Sequence, residues 1–243
     1  MRPGKEGEES SPEETSDGVN GENDDCLERR IEVCRQKTAG AELDLSKLEL
    51  TEFPVEIFAL FPTLRKLNLR KNGLKALPDE LSRRFPHLTS LNVAENELTI
   101  LPEEIGAFKH LQKLSLERNA LHRLPASMAK LENLEELNLK DNHLKMLCDS
   151  KDNDEFGAKF MRLKVLQVAN NQLELIPRSF GELPCLKTVD LSGNGEIDVV
   201  PEKVRRLHER NVIVHSRSKR RELISRALRV RRAVAHTMTL QTK

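Results

Sequence analysis

Apolar residues recur along most of this chain at a fixed register. From Leu64 it reads LRKLNLRKNGLKALP, from Leu88 LTSLNVAENELTILP and from Leu111 LQKLSLERNALHRLP, three copies of the pattern LxxLxLxxNxLxxLP. A fourth copy, LEELNLKDNHLKMLC from Leu134, puts Cys148 in the proline slot, and a fifth, LKVLQVANNQLELIP, starts at Leu163. The outer copies are degenerate: GAELDLSKLELTEFP from Gly40 has Leu48 where Asn belongs, and LKTVDLSGNGEIDVVP from Leu186 carries one extra residue after Asn194. Successive starts lie 24, 24, 23, 23, 29 and 23 residues apart, so the long step marks an insertion of about six residues. A period of this length means stacked units, each too small to bury its apolar side chains except against its neighbours.

Inside each copy the leucines of LxL alternate with polar residues at the strand period of two, which buries one face and leaves the other open to solvent. The Asn at 72, 96, 119, 142, 171 and 194 stands where the chain turns away from the strand. Its amide is predicted to satisfy buried backbone groups of adjacent turns. Leu-Pro then opens an irregular or short helical return, because proline fixes φ and donates no hydrogen bond. The predicted fold class is α/β: a solenoid of about seven repeats with a parallel β-sheet on its concave face.

A solenoid also exposes leucines at its ends unless something covers them. Before the first repeat, DDCLERRIEVCRQKTAG offers Asp24 or Asp25 as N-cap, Leu27, Ile31 and Cys34 at helical spacing, and Gly40 as terminator, which predicts a cap helix over 24–39. After the last repeat, RNVIVHS at 210–216 reads as a closing strand, giving a repeat domain over 40–215.

These residues resemble the leucine-rich repeat family over roughly 40–207. The 23/24-residue period with LxxLP is similar to intracellular members of the Ras-suppressor and plant Ras-group type and to scaffolds of Ras and cell-polarity signalling. It looks less like the protein phosphatase 1 regulatory type. Secreted members usually carry cysteine-rich caps, and the four cysteines here, Cys26, Cys34, Cys148 and Cys185, form no such cluster. The resemblance therefore implies a non-enzymatic intracellular adaptor that offers a rigid polar concave surface to another protein.

Composition adds two constraints. The 243 residues include no Trp or Tyr and 8 Phe, so the core is expected to be aliphatic. The 40 basic and 39 acidic residues give a net charge of only +1, but they are unevenly placed. Over residues 1–25, Arg2 and Lys5 stand against nine acids, while over 216–243 nine bases stand against Glu222. Residues 1–23 read as an acidic disordered tail. Residues 216–243 read as a basic amphipathic helix or tail, with Leu223, Ala227, Val230 and Val234 on one stripe. Such a segment serves as a cap, as an import patch through Lys219, Arg220 and Arg221, or as a contact to an anionic ligand. A nucleic-acid or acidic-membrane binder acting through this tail is the alternative to the adaptor reading. No secretory leader, membrane-spanning run, myristoylation site or prenylation box is read in the sequence, which predicts a soluble cytoplasmic protein with nuclear import as the tail's other use.

Candidate binding chemistry sits on the solvent side of the strands. Units two to five place there Lys66, Asn68, Arg70 and Lys71, then Ser90, Asn92, Ala94 and Glu95, then Lys113, Ser115, Glu117 and Arg118, then Glu136, Asn138, Lys140 and Asp141. The first unit offers Glu42, Asp44, Ser46 and Lys47, and the series fades to Val165, Gln167, Ala169 and Asn170. Seven strands about 4.8 Å apart make a face about 30 Å long, enough for about 800 Å² of interface per partner. With no aromatic anchor on this row, a polar and electrostatically steered interface is implied.

Other chemistry is thin. His87 and His110 both precede a repeat start and are predicted to lie near 5 Å apart on adjacent turns, with no third ligand in register for a metal. The other histidines, including His122 and His143, fall at unrelated repeat positions. The insertion at 149–160 holds Asp149, Asp152, Asp154 and Glu155 but not the spacing of a calcium loop, and its Phe156 and Phe160 are free either to tuck onto the solenoid or to meet a partner. Cys26 and Cys34 lie about 12 Å apart on a helix, too far for a disulfide. No phosphate loop, nucleophile elbow or metalloprotease motif is present, so no catalysis, cofactor, metal or small-molecule substrate is expected.

Overall fold

The computed structural model describes residues 20–147, 159–195, 197, 201–207 and 213–215. Residues 1–19, the basic tail 216–243, the acidic part of the insertion with Phe156, and His208 and His236 lie outside these described residues, while residues 20–23, read above as part of the disordered tail, are helical. One eight-stranded sheet runs in chain order: β1 (Glu42–Asp44), β2 (Lys66–Asn68), β3 (Ser90–Asn92), β4 (Lys113–Ser115), β5 (Glu136–Asn138), β6 (Val165–Gln167), β7 (Thr188–Asp190) and β8 (Ile213–His215). All pairs are parallel, and the register sets equivalent repeat positions side by side, as in Leu67 opposite Leu91 and Leu114 opposite Leu137. Each strand is three residues long and holds only the first leucine of LxL, as Leu67 on β2, while the second, Leu69, is equally buried just past the strand.

The turn after each strand uses one recurrent conformation. Lys47, Lys71, Glu95, Arg118, Asp141 and Asn170 all have φ between 53 and 60°, and Gly193 takes the equivalent place at 75°. Left-handed backbone is unfavourable for residues with a Cβ. In every repeat except the first, where Leu48 follows Lys47, it is held by the following Asn. Asn96 accepts a hydrogen bond from the Leu74 N–H at 3.1 Å and donates to the carbonyls of Leu69 and Val93, each at 3.0 Å. Asn119 does the same for Leu98, Val93 and Leu116, and Asn142, Asn171 and Asn194 repeat the scheme. The side chain thus ties its own turn to the preceding repeat and leaves buried backbone groups paired.

The core is a column of leucines, but not a purely aliphatic one. Phe61, Phe85, Phe108 and Phe160 are each no more than 1 % exposed, and all stand three residues before a repeat start. These four bury aromatic rings at one repeat position, with Leu131 taking it between Phe108 and Phe160, which the absence of Trp and Tyr did not foretell. This burial also resolves part of the insertion: Phe160 belongs to the core.

The returns are short, as the Leu-Pro slot predicts. They are 3₁₀ turns at Glu103–Ala107, Ala126–Lys130 and Arg178–Glu182 and single α turns at Ile57–Leu60, Leu81–Arg84 and Glu202–Arg205. They stack closely: a Cβ on Gly106 would lie 2.1 Å from the Ser127 carbonyl oxygen.

Helix α1 spans Asn20–Thr38 and packs beside β1. It begins four residues before the predicted N-caps, so Asp24 and Asp25 lie within the helix rather than at its start. Cys34 is buried, Leu27 and Ile31 are partly buried against the repeat core, and the chain leaves the helix through Gly40 at φ 77°. Thr38 Oγ1 accepts from the Glu42 N–H and donates to the Cys34 carbonyl, joining helix to edge strand. Cys26 and Cys185 are exposed free thiols.

Candidate functional site

The repeat register decides what reaches the concave face. Lys66 and Asn68 lie on β2, Ser90 and Asn92 on β3, Lys113 on β4, and Glu136 and Asn138 on β5. Arg70, Lys71, Glu95, Glu117, Arg118, Lys140 and Asp141 belong instead to the turns leaving those strands. Ala94 and Ala169, predicted among the exposed positions, are buried at 4 % and 1 %, because a methyl group there folds under the left-handed turn.

Most charged residues of this face are paired with one another. The Arg70 guanidinium contacts Glu95 at 2.6 Å, Arg118 reaches Glu95 at 3.6 Å and Asp141 at 3.5 Å, and Lys140 completes the row at 3.9 Å from Asp141. Lys66 meets Glu42 at 2.6 Å, and Lys113 meets Glu136 at 2.8 Å. Amides bridge the same repeats: Asn68 donates to Asp44, Asn138 to Glu117 and Asn170 to Asp141. The hydrogen bond from Arg70 holds the Glu95 carboxyl below its ordinary range and raises Arg70. Lys71 has no ion pair among the described residues. Exposed pairs of this kind contribute little stability individually. Their consequence is positional, since they hold long side chains in set directions over the sheet.

A groove opens at the N-terminal end of this face. With a volume of about 540 Å³, it lies between α1 and the first three strands, lined by Arg30, Val33 and Lys37 of the helix and by Glu42, Asp44, Lys66, Asn68, Ser90 and Asn92 of the strands. Arg30 was not among the sequence candidates. Its guanidinium lies 3.7 Å from the Asp44 carboxylate, and Val33 stands 42 % exposed beside it. A floor of sheet-borne amides and hydroxyls, walled by both signs of charge and one apolar side chain, suits an inserted peptide side chain. Among the described residues, no group of three or more His, Cys, Asp or Glu side chains is placed to hold a metal ion, and no helix is long and apolar enough to cross a membrane.

The histidines are closer than their numbers suggest. His87 and His110 stack with ring centroids 6.1 Å apart, near the predicted distance. His122 and His143, expected at unrelated positions, also meet, at 5.7 Å. They occupy different repeat positions, but the His143 N–H bonds to the Leu121 carbonyl and brings the two turns together diagonally.

Known proteins carry the same arrangement. Two family descriptions, both leucine-rich repeat, match residues 62–121 and 162–183. No curated protein matches the chain. Among solved structures, a leucine-rich repeat protein of Leptospira interrogans is 30 % identical over 74 % of this chain and 50 % of its own, with TM-score 0.62. The chain thus spans half the length of that protein. The leucine-rich repeat domain of the type III effector XopL is 24 % identical over 78 % of this chain and 64 % of its own, with TM-score 0.63. A plant peptide hormone receptor, RGFR1, solved in complex with RGF2, is 25 % identical over 67 % of this chain and 25 % of its own, with TM-score 0.56. Folds of this kind are commonly protein–protein interaction modules. With the repeat register, the asparagine ladder and these matches in agreement, the chain belongs to the leucine-rich repeat family.

Proposed function

We propose that the protein is a non-enzymatic intracellular adaptor in signalling, cytoplasmic in location, that binds another protein on its concave face. The observation that carries this reading is the groove between α1 and β1–β3, opening onto a row of paired charges that runs from Glu42 to Asp141. A partner segment seated there meets side chains already oriented, so little ordering cost is left to binding. A plant peptide hormone receptor of this fold, RGFR1, solved in complex with RGF2, supports a binding role for such repeats.

Filling the groove tests the proposal. Ser90→Tyr puts a ring over its floor, while Thr188→Tyr places the same ring at the equivalent position of β7, away from it. Quantitative affinity capture from cell extract, using tagged full-length chains, is expected to lose the principal partner with Ser90→Tyr and keep it with Thr188→Tyr. Equal capture by wild type and both variants, with unchanged circular dichroism, would overturn the assignment. Binding of an import receptor or anionic ligand by residues 216–243 rests on their charge alone and is separated by deletion of that tail, which leaves groove-dependent capture intact.

A further inference from the structure

Most cations on the concave face are held by acidic partners, and the edge where the chain enters each strand differs. Arg65 and Arg162 are exposed, form no ion pair among the described residues, and line one groove of about 390 Å³ together with the stacked His87–His110 pair. No carboxylate lines it. The rest of the lining is neutral and partly fixed: Thr89 donates its hydroxyl to the Arg65 carbonyl, and Asn133 donates to the Lys109 carbonyl at 2.7 Å. These bonds pin the floor and leave the Gln112 amide, two imidazoles and two guanidiniums facing solvent. Glu135, in the register position after Gln112, is held by Lys164 at 2.6 Å. Within the groove lining the charge is therefore one-sided, while Glu135 just beyond it, bonded to Lys164, also feels the charge of Arg162.

We propose that this groove is an anion site that recognises a phosphorylated segment of a partner protein, separate from the concave-face groove. The dianionic phosphate sits against the His87–His110 pair beside the exposed Gln112, and Arg65 and Arg162 take the phosphate edge and acidic neighbours. Arg65 and Arg162 belong to repeats four strands apart, a span of about 19 Å or about six residues of extended peptide. A confined groove of this length fits a short peptide. A nucleic acid would need a longer basic track and aromatic stacking surfaces, and the chain has no Trp or Tyr.

Fluorescence anisotropy on the full chain tests it. The probes are a labelled acidic peptide with a central phosphoserine, its unphosphorylated serine twin, a labelled oligo-dT strand, and vesicles of phosphatidylcholine with phosphatidylserine. The phosphopeptide is expected to bind roughly tenfold or more tighter than its twin. Arg65→Gln with Arg162→Gln, or His87→Ala with His110→Ala, should remove that difference. Lys75→Gln with Lys145→Gln, the same loss of charge at exposed lysines elsewhere, should keep it, as should Ser90→Tyr. Equal binding of the two peptides, an equal loss in the lysine control, or an oligo-dT or vesicle affinity that matches the phosphopeptide and depends on the same arginines would overturn the proposal. Thermal melts that coincide with wild type exclude unfolding as the cause.

Discussion

One asparagine per repeat carries more structural weight than any charged residue of the chain. Asn119 is 8 % exposed, accepts from the Leu98 N–H and donates to carbonyls of two successive repeats. Asn119→Ala leaves those groups buried without partners and is expected to cost about 1–3 kcal/mol. Lys113, one strand turn away, is exposed and paired only with Glu136, so Lys113→Ala should cost less than about 0.5 kcal/mol. Urea midpoints measured on the two variants should separate accordingly, and coincident midpoints would contradict the ladder.

Among the elements, the returns tolerate least. Strands can exchange their outward side chains, but successive returns meet backbone to backbone at Gly106 and Ser127 and again at Gly181 and Lys203. Gly106→Ala places a methyl inside the contact distance of a carbonyl, and the repeats must part to admit it. Overpacking of this kind is expected to cost about 1–3 kcal/mol. Gly195→Ala is the control, since nothing lies within 4 Å of the added Cβ. Equal melting temperatures for the two variants would mean that the returns are more loosely stacked than described. The cap helix shows the complementary rule: over residues 25–38 only the Cys34 side chain is buried, yet the helix supplies a wall of the groove.

Across the whole molecule, the ion pairs link repeats one to six and make stability depend on pH in a defined direction. Glu95 and Glu135 have carboxyls lowered from the ordinary 4.5, first by hydrogen bonds from Arg70 and Lys164. A depressed folded pKa contributes stability that is fully present above the unfolded value and is lost as pH falls through the folded one. Thermal stability at low salt should therefore drop below about pH 4.5, and Glu95→Gln with Glu135→Gln should flatten that acid limb. Raising the salt should narrow the difference, because both carboxylates sit near the surface. Superimposable acid limbs for wild type and variant would show that the pairs do not persist in solution.

What the sequence determined by itself was everything that repeats. A fixed spacing of Leu and Asn sets strand positions, register, parallel direction and the amide ladder, because each unit sees the same neighbours and local pattern decides local structure. The outward row from Lys66 to Asp141 follows from the same period, apart from Ala94 and Ala169, whose burial depends on the turn conformation rather than on strand alternation. What only the tertiary structure decided lies between units or at their ends. Whether Arg70 faces solvent or Glu95 depends on how far two turns on adjacent repeats approach, and the pairing of His122 with His143 on a diagonal offset between repeats. The placement of Arg30 and Val33 against the sheet depends on the packing angle of a helix that has no repeat to copy. Periodicity specifies a repeat's interior, while grooves form where the period is interrupted or where side chains from several repeats converge.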